Sequence, residues 1–270
     1  MGAVRAGPPN ARGARRAAAL LLATAVSLAP GAGGETREGE AVPARERMLR
    51  RLAGTHFTAL LRLEIGAADW REQRVIRLWR DDQGAARERV MLRFEAPPDL
   101  RGIAILYLEN ADRPNDYFLY QPAYRRVRRV PEAMAREDVY GVDLEYLGFG
   151  GAQLVPTRLE SEQRDTLDGH PVIRFSEVAQ EPNPRFDRRV VWLDPTNDVP
   201  LRMEHERDGE KVLVARTLEI VPVDGLATPK SMLFERLAER KTVSVSVEQV
   251  DYRSPIPEEF FSTFRLVKEE

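Results

Sequence analysis

The chain has 270 residues, 43% of them hydrophobic and 31% charged, with 18 Gly and 19 Pro. That composition is globular, excludes disorder along the whole length, and fits one large domain or two small ones. There is no Cys, which excludes disulfide scaffolds, cysteine catalysis, Cys-ligated zinc, iron–sulfur clusters and a lipid-modified N-terminal Cys. A formal net charge of −2 gives no electrostatic case for nucleic acid.

Residues 1–16 carry Arg5, Arg12, Arg15 and Arg16 and no acid. The following stretch, 17–28, is uncharged and mostly apolar, and small residues occupy much of 29–33. A positive head, a short apolar run and a small-residue exit read as a secretory signal peptide. The run is too short to cross about 30 Å of hydrocarbon, so a transmembrane anchor is not expected. The expected layout is a cleaved signal peptide over 1–33 and a single domain over 34–270, exported and soluble.

A short helix is predicted over 45–52, with Pro43 ahead of it, Met48, Leu49 and Leu52 on one face, and Gly54 to stop it. Alternation then takes over. In 56–65, Phe57, Ala59, Leu61, Leu63 and Ile65 share one face, and Thr58, Arg62 and Glu64 the other, the pattern of a half-buried strand. Further strands are read at 70–80, 88–94, 102–108, 116–121 and 125–130. The stretch 102–108 is apolar on both faces and should be covered on both. After a pause, strands resume at 158–166 and 170–178 around Asp168-Gly169, a strong hairpin signal. They continue at 188–193, 201–207, 210–221, 231–237 and 242–250, giving about a dozen strands at the spacing of an all-β sheet or barrel.

Residues 131–157 break the rhythm. The stretch 131–138 has helical propensity, and 140–151 mixes aromatics and glycines with no period. A long segment of this kind inside a meander is often functional. Tyr140, Leu144, Tyr146, Leu147 and Phe149 give it an apolar surface, which makes them lid candidates over the mouth of a barrel.

The chemical inventory is thin. His56, His170 and His205 lack metal-ligand spacing, and there is no nucleophile elbow, phosphate loop or His-Glu-x-x-His. Asp143 and Glu145 are better read as loop carboxylates than as an acid/base pair. No catalytic residue, metal or cofactor is expected, and the chain is not read as an enzyme. Arg125, Arg126, Arg128 and Arg129 form one basic cluster, which would suit either a headgroup or acidic partner, or an edge strand kept from pairing by charge. On a strand, Arg126 and Arg128 would face one way, Arg125 and Arg129 the other.

Two runs then carry a resemblance: Arg93-Phe94-Glu95-Ala96-Pro97-Pro98-Asp99-Leu100-Arg101-Gly102, and the aromatic and arginine stretch from Asp116-Tyr117-Phe118-Leu119-Tyr120-Gln121-Pro122 to Val130. With Trp192-Leu193-Asp194, Val199-Pro200-Leu201-Arg202-Met203-Glu204 and Ile256-Pro257-Glu258-Glu259-Phe260-Phe261, the chain resembles the LolA/LolB-like periplasmic lipoprotein-sorting superfamily. It is most similar to the branch labelled outer membrane lipoprotein-sorting protein, of unassigned function. The branch's Gly-Ser-Asp-Phe-like stretch is reduced to Gly141-Val142-Asp143-Leu144-Glu145. The resemblance implies a mainly β fold, an unclosed antiparallel barrel of about eleven strands wrapped around a few short helices.

It also implies a soluble periplasmic carrier that binds a lipid or lipoprotein acyl chain in an apolar half-barrel cavity for transfer toward the outer membrane. Its partners would be those chains, an inner-membrane exporter and an outer-membrane acceptor. The rival reading is a periplasmic sensor or accessory subunit of an envelope export or regulatory assembly with the same fold. Alternation nominates Leu61, Leu63, Ile76, Leu78, Leu92, Phe94, Ile105, Tyr107, Tyr117 and Leu119 as ligand-lining residues.

Overall fold

The computed structural model describes residues 42–84, 87–131, 140, 142, 156–183 and 185–268. Helix α1 (Ala44–Arg50) comes first. The first run of strands is β1 (His56–Gly66), β2 (Arg71–Asp82), β3 (Glu88–Ala96), β4 (Ala104–Leu108), β5 (Asp116–Gln121) and β6 (Arg126–Val130). The second is β7 (Thr157–Leu167), β8 (His170–Ala179), β9 (Arg188–Leu193), β10 (Pro200–Arg207), β11 (Glu210–Val223), β12 (Leu226–Arg236) and β13 (Lys241–Asp251). Helix α2 (Thr263–Val267) follows, capped by Ser262, whose hydroxyl accepts from the Arg265 amide.

All thirteen strands lie in one sheet of order β6-β5-β4-β3-β2-β1-β13-β12-β11-β10-β9-β8-β7. Every neighbouring pair is antiparallel. The two edges, β6 and β7, do not pair, so the barrel is unclosed, as the resemblance implied. Among the described residues it has thirteen strands, where the resemblance implied about eleven. Each run is a plain meander. The two runs meet where β1 pairs β13, with Leu63 opposite Val245.

One face of the sheet is a continuous apolar surface. Phe57, Ala59, Leu61, Leu63 and Ile65 from β1, Ile76 and Leu78 from β2, and Val90, Leu92 and Phe94 from β3 are all buried in one cluster. Leu213 and Ala215 from β11, Phe234 from β12 and Val243, Val245 and Val247 from β13 join the same cluster. A sheet that packs such distant strands into one core must curl around that face, which is the concave one. Val142 is fully buried in this cluster.

The outer face is covered locally. Trp79, Met91, Ala104, Leu106 and Tyr120 pack beneath Phe261 and Leu266 at the C-terminal end. With Ile105 and Tyr107 on the inner face, β4 is buried on both sides, the expectation from its unbroken apolar run. Arg93 extends from this outer face to the carbonyls of Arg265 and Leu266, at 3.1 and 3.3 Å, in the last turn of the helix, where the Arg265 carbonyl also accepts from the Lys268 amide.

Candidate cavity between the first helix and the half-barrel

Helix α1 lies across the concave face of the second run of strands. Ala44 is fully buried with Phe175, Val191 and Leu193, and Met48 packs against them. Such a short helix needs tertiary ties, because its own hydrogen bonds barely offset nucleation. The Ala44 amide donates to Glu162 Oε2 at 2.9 Å, and Arg45 Nε to Glu177 Oε2 at 2.6 Å. Arg47 lies 3.4 Å from Asp198, and Arg80 from β2 donates to the Leu52 carbonyl at 2.9 Å. These bonds hold the helix above the sheet.

The helix does not fill the space below it. A cavity of about 290 Å³ remains. Met48, Leu49, Arg51 and Leu52 form its roof. Phe57, Ala59 and Leu61 of β1 and Leu78 of β2 form one wall. The other wall comes from Met203, Ala215, Thr217, Met232, Phe234, Val247 and Val250, with Pro200, Thr228, Pro229 and Tyr252 at its margins. Phe57 and Tyr252 meet with ring centroids 5.5 Å apart. The volume lies near the lower end of small-molecule sites, and the lining has their usual character, apolar with a few polar groups.

Four arginines, Arg51, Arg80, Arg189 and Arg216, also border this space. Arg80 is paired with Glu88 and lies 3.1 Å from Asp82. Burial pushes the Glu88 carboxyl above its ordinary value, and Arg80 pulls against that shift. Arg189 donates to Glu177 Oε1 at 2.5 Å, and Arg216 pairs with Glu235. His205, opposite Arg189 on the neighbouring strand, is fully buried against the Phe186 ring at 4.5 Å. Burial, with Arg189 and Arg185 nearby, holds it well below the usual histidine pKa, so it is neutral.

The nominated lining residues all belong to the concave-face cluster, Leu119 as a half-buried member. Leu61 and Leu78 border the cavity. Leu63 of β1, Ile76 of β2, Leu92 and Phe94 of β3, Ile105 and Tyr107 of β4, and Tyr117 and Leu119 of β5 belong to the same cluster but do not border the cavity. The Tyr107 and Tyr117 rings meet there at a tilt, with centroids 5.1 Å apart. The roof and the β10–β13 wall were not singled out by the sequence reading. A signal existed in Met48, Met203 and Met232, because methionine recurs at adaptable apolar surfaces.

Of the lid candidates, Tyr140 packs edge-on against Phe94 at 5.8 Å, and its hydroxyl accepts from Gln121 Nε2 at 2.6 Å. It does not border the cavity. Leu144, Tyr146, Leu147 and Phe149, like Asp143 and Glu145, lie outside the described residues, as do residues 1–33.

The basic cluster sits on the edge strand β6. Arg128 is opposite Leu119 and Arg129 opposite Phe118, so these two face opposite sides. Arg125 precedes the strand in the left-handed region, at φ 46°, so the alternation begins at Arg126. Arg129 lies 2.6 Å from Asp116 and Arg128 donates to Gln121 at 3.0 Å. All four arginines are exposed, as charges that discourage edge pairing must be.

Comparison with known proteins supports the fold. The structure is similar to an outer membrane lipoprotein-sorting protein domain from Vibrio parahaemolyticus, with TM-score 0.72 and 19% identity over 83% of this chain and 97% of that one. A DUF1329 family protein from Desulfovibrio piger gives TM-score 0.72 and 16% identity over 83% and 96% of the two chains. A LolA superfamily protein from Nitrosomonas europaea gives TM-score 0.64 and 14% identity over 83% and 100%. A search of curated proteins finds no match. Among the described residues no helix is long and apolar enough to cross a membrane. The thirteen-stranded unclosed sheet is thus a LolA-like fold. A family model described as "Uncharacterized protein" matches residues 86–268, and the chain belongs to the family of that model.

Proposed function

We propose that the protein is an exported, non-enzymatic carrier that shields a lipid or lipoprotein acyl chain in the cavity beneath α1, for transfer toward the outer membrane. In this reading residues 1–33 are the signal peptide, 34–270 are the carrier domain, and the site of action is the periplasm. An inner-membrane donor and an outer-membrane acceptor complete the route.

The observation that carries the reading is the cavity itself: about 290 Å³, walled by Leu52, Phe57, Leu61, Met203, Met232 and Phe234. At about 30 Å³ per water-sized group, the space takes on the order of ten methylenes, the scale of one acyl chain. Burial at about 0.8 kcal/mol per methylene gives roughly 8 kcal/mol, which corresponds to a Kd of about 1 μM before ordering costs are subtracted. Affinity of that order suits a carrier, which must also release its load.

The test fills the space. Ala59 and Ala215 border the cavity from opposite walls, on β1 and β11. Ala215→Phe should weaken binding of a fluorescent fatty acid about tenfold or more while the folded state persists. Mass spectrometry of protein purified from the periplasm should find a co-purified lipid in the wild type and less in the variant. A variant that binds the probe as well as the wild type does would refute the carrier reading.

A further inference from the structure

Three of the four arginines at the cavity already hold a carboxylate: Arg80 holds Glu88, Arg189 holds Glu177, and Arg216 holds Glu235. Arg51 differs. It stands at the C-cap of α1, and its Nη1 donates to the Ala227 carbonyl at 2.8 Å. It forms no salt bridge among the described residues. The carboxylate that acts on it from a distance, Asp198, is engaged by Arg47 at 3.4 Å. Burial lowers the pKa of this guanidinium; Arg80 acts the same way, while Tyr252 and Asp198 oppose the shift. An arginine stays charged under such conditions, so a half-buried positive charge with spare donors sits at an apolar cavity.

The sheet is split beside it. Strand β12 pairs with β13 only from Ser231 opposite Ser246 to Arg236 opposite Lys241. The other half of β12, including Ala227, Thr228 and Pro229, pairs with β11 alone. The matching half of β13, from Val247 on, pairs with β1. Pro229 has no N–H to offer across the gap. Thr228, Val247 and Val250 border both the main cavity and an adjoining one of about 380 Å³. The Thr228 and Tyr252 hydroxyls meet across the split at 3.1 Å and Lys230 donates to the Val247 carbonyl, so only side chains bridge it, and Arg51 is bonded to the strand segment on one side.

Building on the carrier reading, we propose that the ligand is a single-chain amphiphile with an anionic headgroup, whose chain fills the apolar space and whose headgroup pairs with Arg51 at the split between β12 and β13. A carboxylate and a phosphate monoester both fit, because a guanidinium can receive either through two parallel hydrogen bonds. The volume matches one chain rather than several, and the apolar walls bind the chain whatever its head.

The experiment compares laurate, dodecyl phosphate and 1-dodecanol by displacement of a neutral fluorescent probe from delipidated full-length protein at pH 8. Laurate or dodecyl phosphate should bind at least tenfold more tightly than dodecanol, and whichever is tighter identifies the headgroup. Arg51→Met should abolish the preference of the anionic ligands over dodecanol, and a circular dichroism spectrum and thermal melt like those of the wild type show that the variant is folded. Arg51→Lys should keep part of the preference. Inorganic phosphate or acetate alone should not compete. Equal binding of all three amphiphiles to the wild type, or an Arg51→Met variant that keeps the preference, overturns the headgroup assignment and leaves the carrier reading standing. Failure of every amphiphile to displace the probe overturns both.

Discussion

Glu177 offers a sharp test of how α1 is held over the cavity. Its side chain is 0% exposed, with Arg45 at 19% and Arg189 at 4%. Arg189 donates to Oε1 at 2.5 Å, while Arg45 and Thr157 donate to Oε2 at 2.6 and 2.8 Å. Glu177→Gln keeps the shape and removes the carboxylate charge that Arg45 and Arg189 share. Breaking a buried pair costs about 3–5 kcal/mol, and the partial exposure of Arg45 favours the lower end, about 3 kcal/mol. For a domain of this size that lowers Tm by about 6–12 °C. Differential scanning calorimetry at pH 7 measures it.

The pH dependence follows from the same group. Burial alone would raise the Glu177 pKa, but the Arg189 charge and the hydrogen bonds from Thr157, Arg45 and Arg189 outweigh it and leave it below the ordinary value. A carboxylate depressed in the folded state stabilises fully above its unfolded pKa of about 4.3, and loses that contribution as pH falls through the folded pKa. The gap between wild type and variant should therefore be flat from about pH 6 to 8 and narrow in acid. A variant within about 0.5 kcal/mol of wild type at pH 7, the range of an ordinary surface change, would refute the reasoning. So would a gap that stays constant down to acid unfolding.

Two further outcomes separate packing from function. Phe94 is fully buried in the dense part of the core, against Tyr140, so Phe94→Ala should cost about 3–5 kcal/mol in urea unfolding while leaving laurate affinity of the folded protein within twofold, roughly, because Phe94 does not border the cavity. Gly209 has φ +80° and nothing within 4 Å of an added Cβ, so Gly209→Ala should cost about 1–2 kcal/mol from backbone strain alone, and a neutral result would show that the turn relaxes.

Much of the fold was legible because local chemistry decides it. The inward face of β1 is the set that alternation names, and the Asp168-Gly169 and Asp208-Gly209 turns adopt the paired positive φ values that two-residue hairpins require. Asp224-Gly225 has the same geometry, at φ 51° and 86°, yet the sequence reading ended one strand at 221 and began the next at 231. The strands run through Pro222 and Pro229. Both are tolerated because each lies where its strand has one partner: β10 reaches only from Glu210 to Arg216 of β11, and β13 leaves β12 before Pro229. The cavity was less legible. Alternation says which side chains point inward, but the cavity depends on which of them face each other, and that is set by the pairing of β1 with β13, near the two ends of the domain.

Side-chain size explains why the cavity lies where it does. Around β3, β4 and β5 the concave face carries Phe94, Tyr107 and Tyr117, with Val142 buried among the same cluster, and large rings close the space. Across the β1–β13 junction the facing residues are smaller or less rigid: Ala59 on β1, Ala215 and Thr217 on β11, Met203 and Met232 beside them. A curved sheet of constant radius needs larger side chains or a covering element where its own are small. Helix α1 supplies the cover, but it is only Ala44–Arg50 long and is anchored at its first turn by Ala44 and Arg45. Its other end, with Leu49, Arg51 and Leu52, spans the remaining space without filling it. Because the gap follows from two alanines and a short roof, it can be closed from the sheet by enlarging Ala59 or Ala215 without touching α1. The cover can be loosened separately at Glu177. If the cavity serves a ligand, the first change should lower affinity at nearly constant stability, whereas the second should lower stability first and affinity through it.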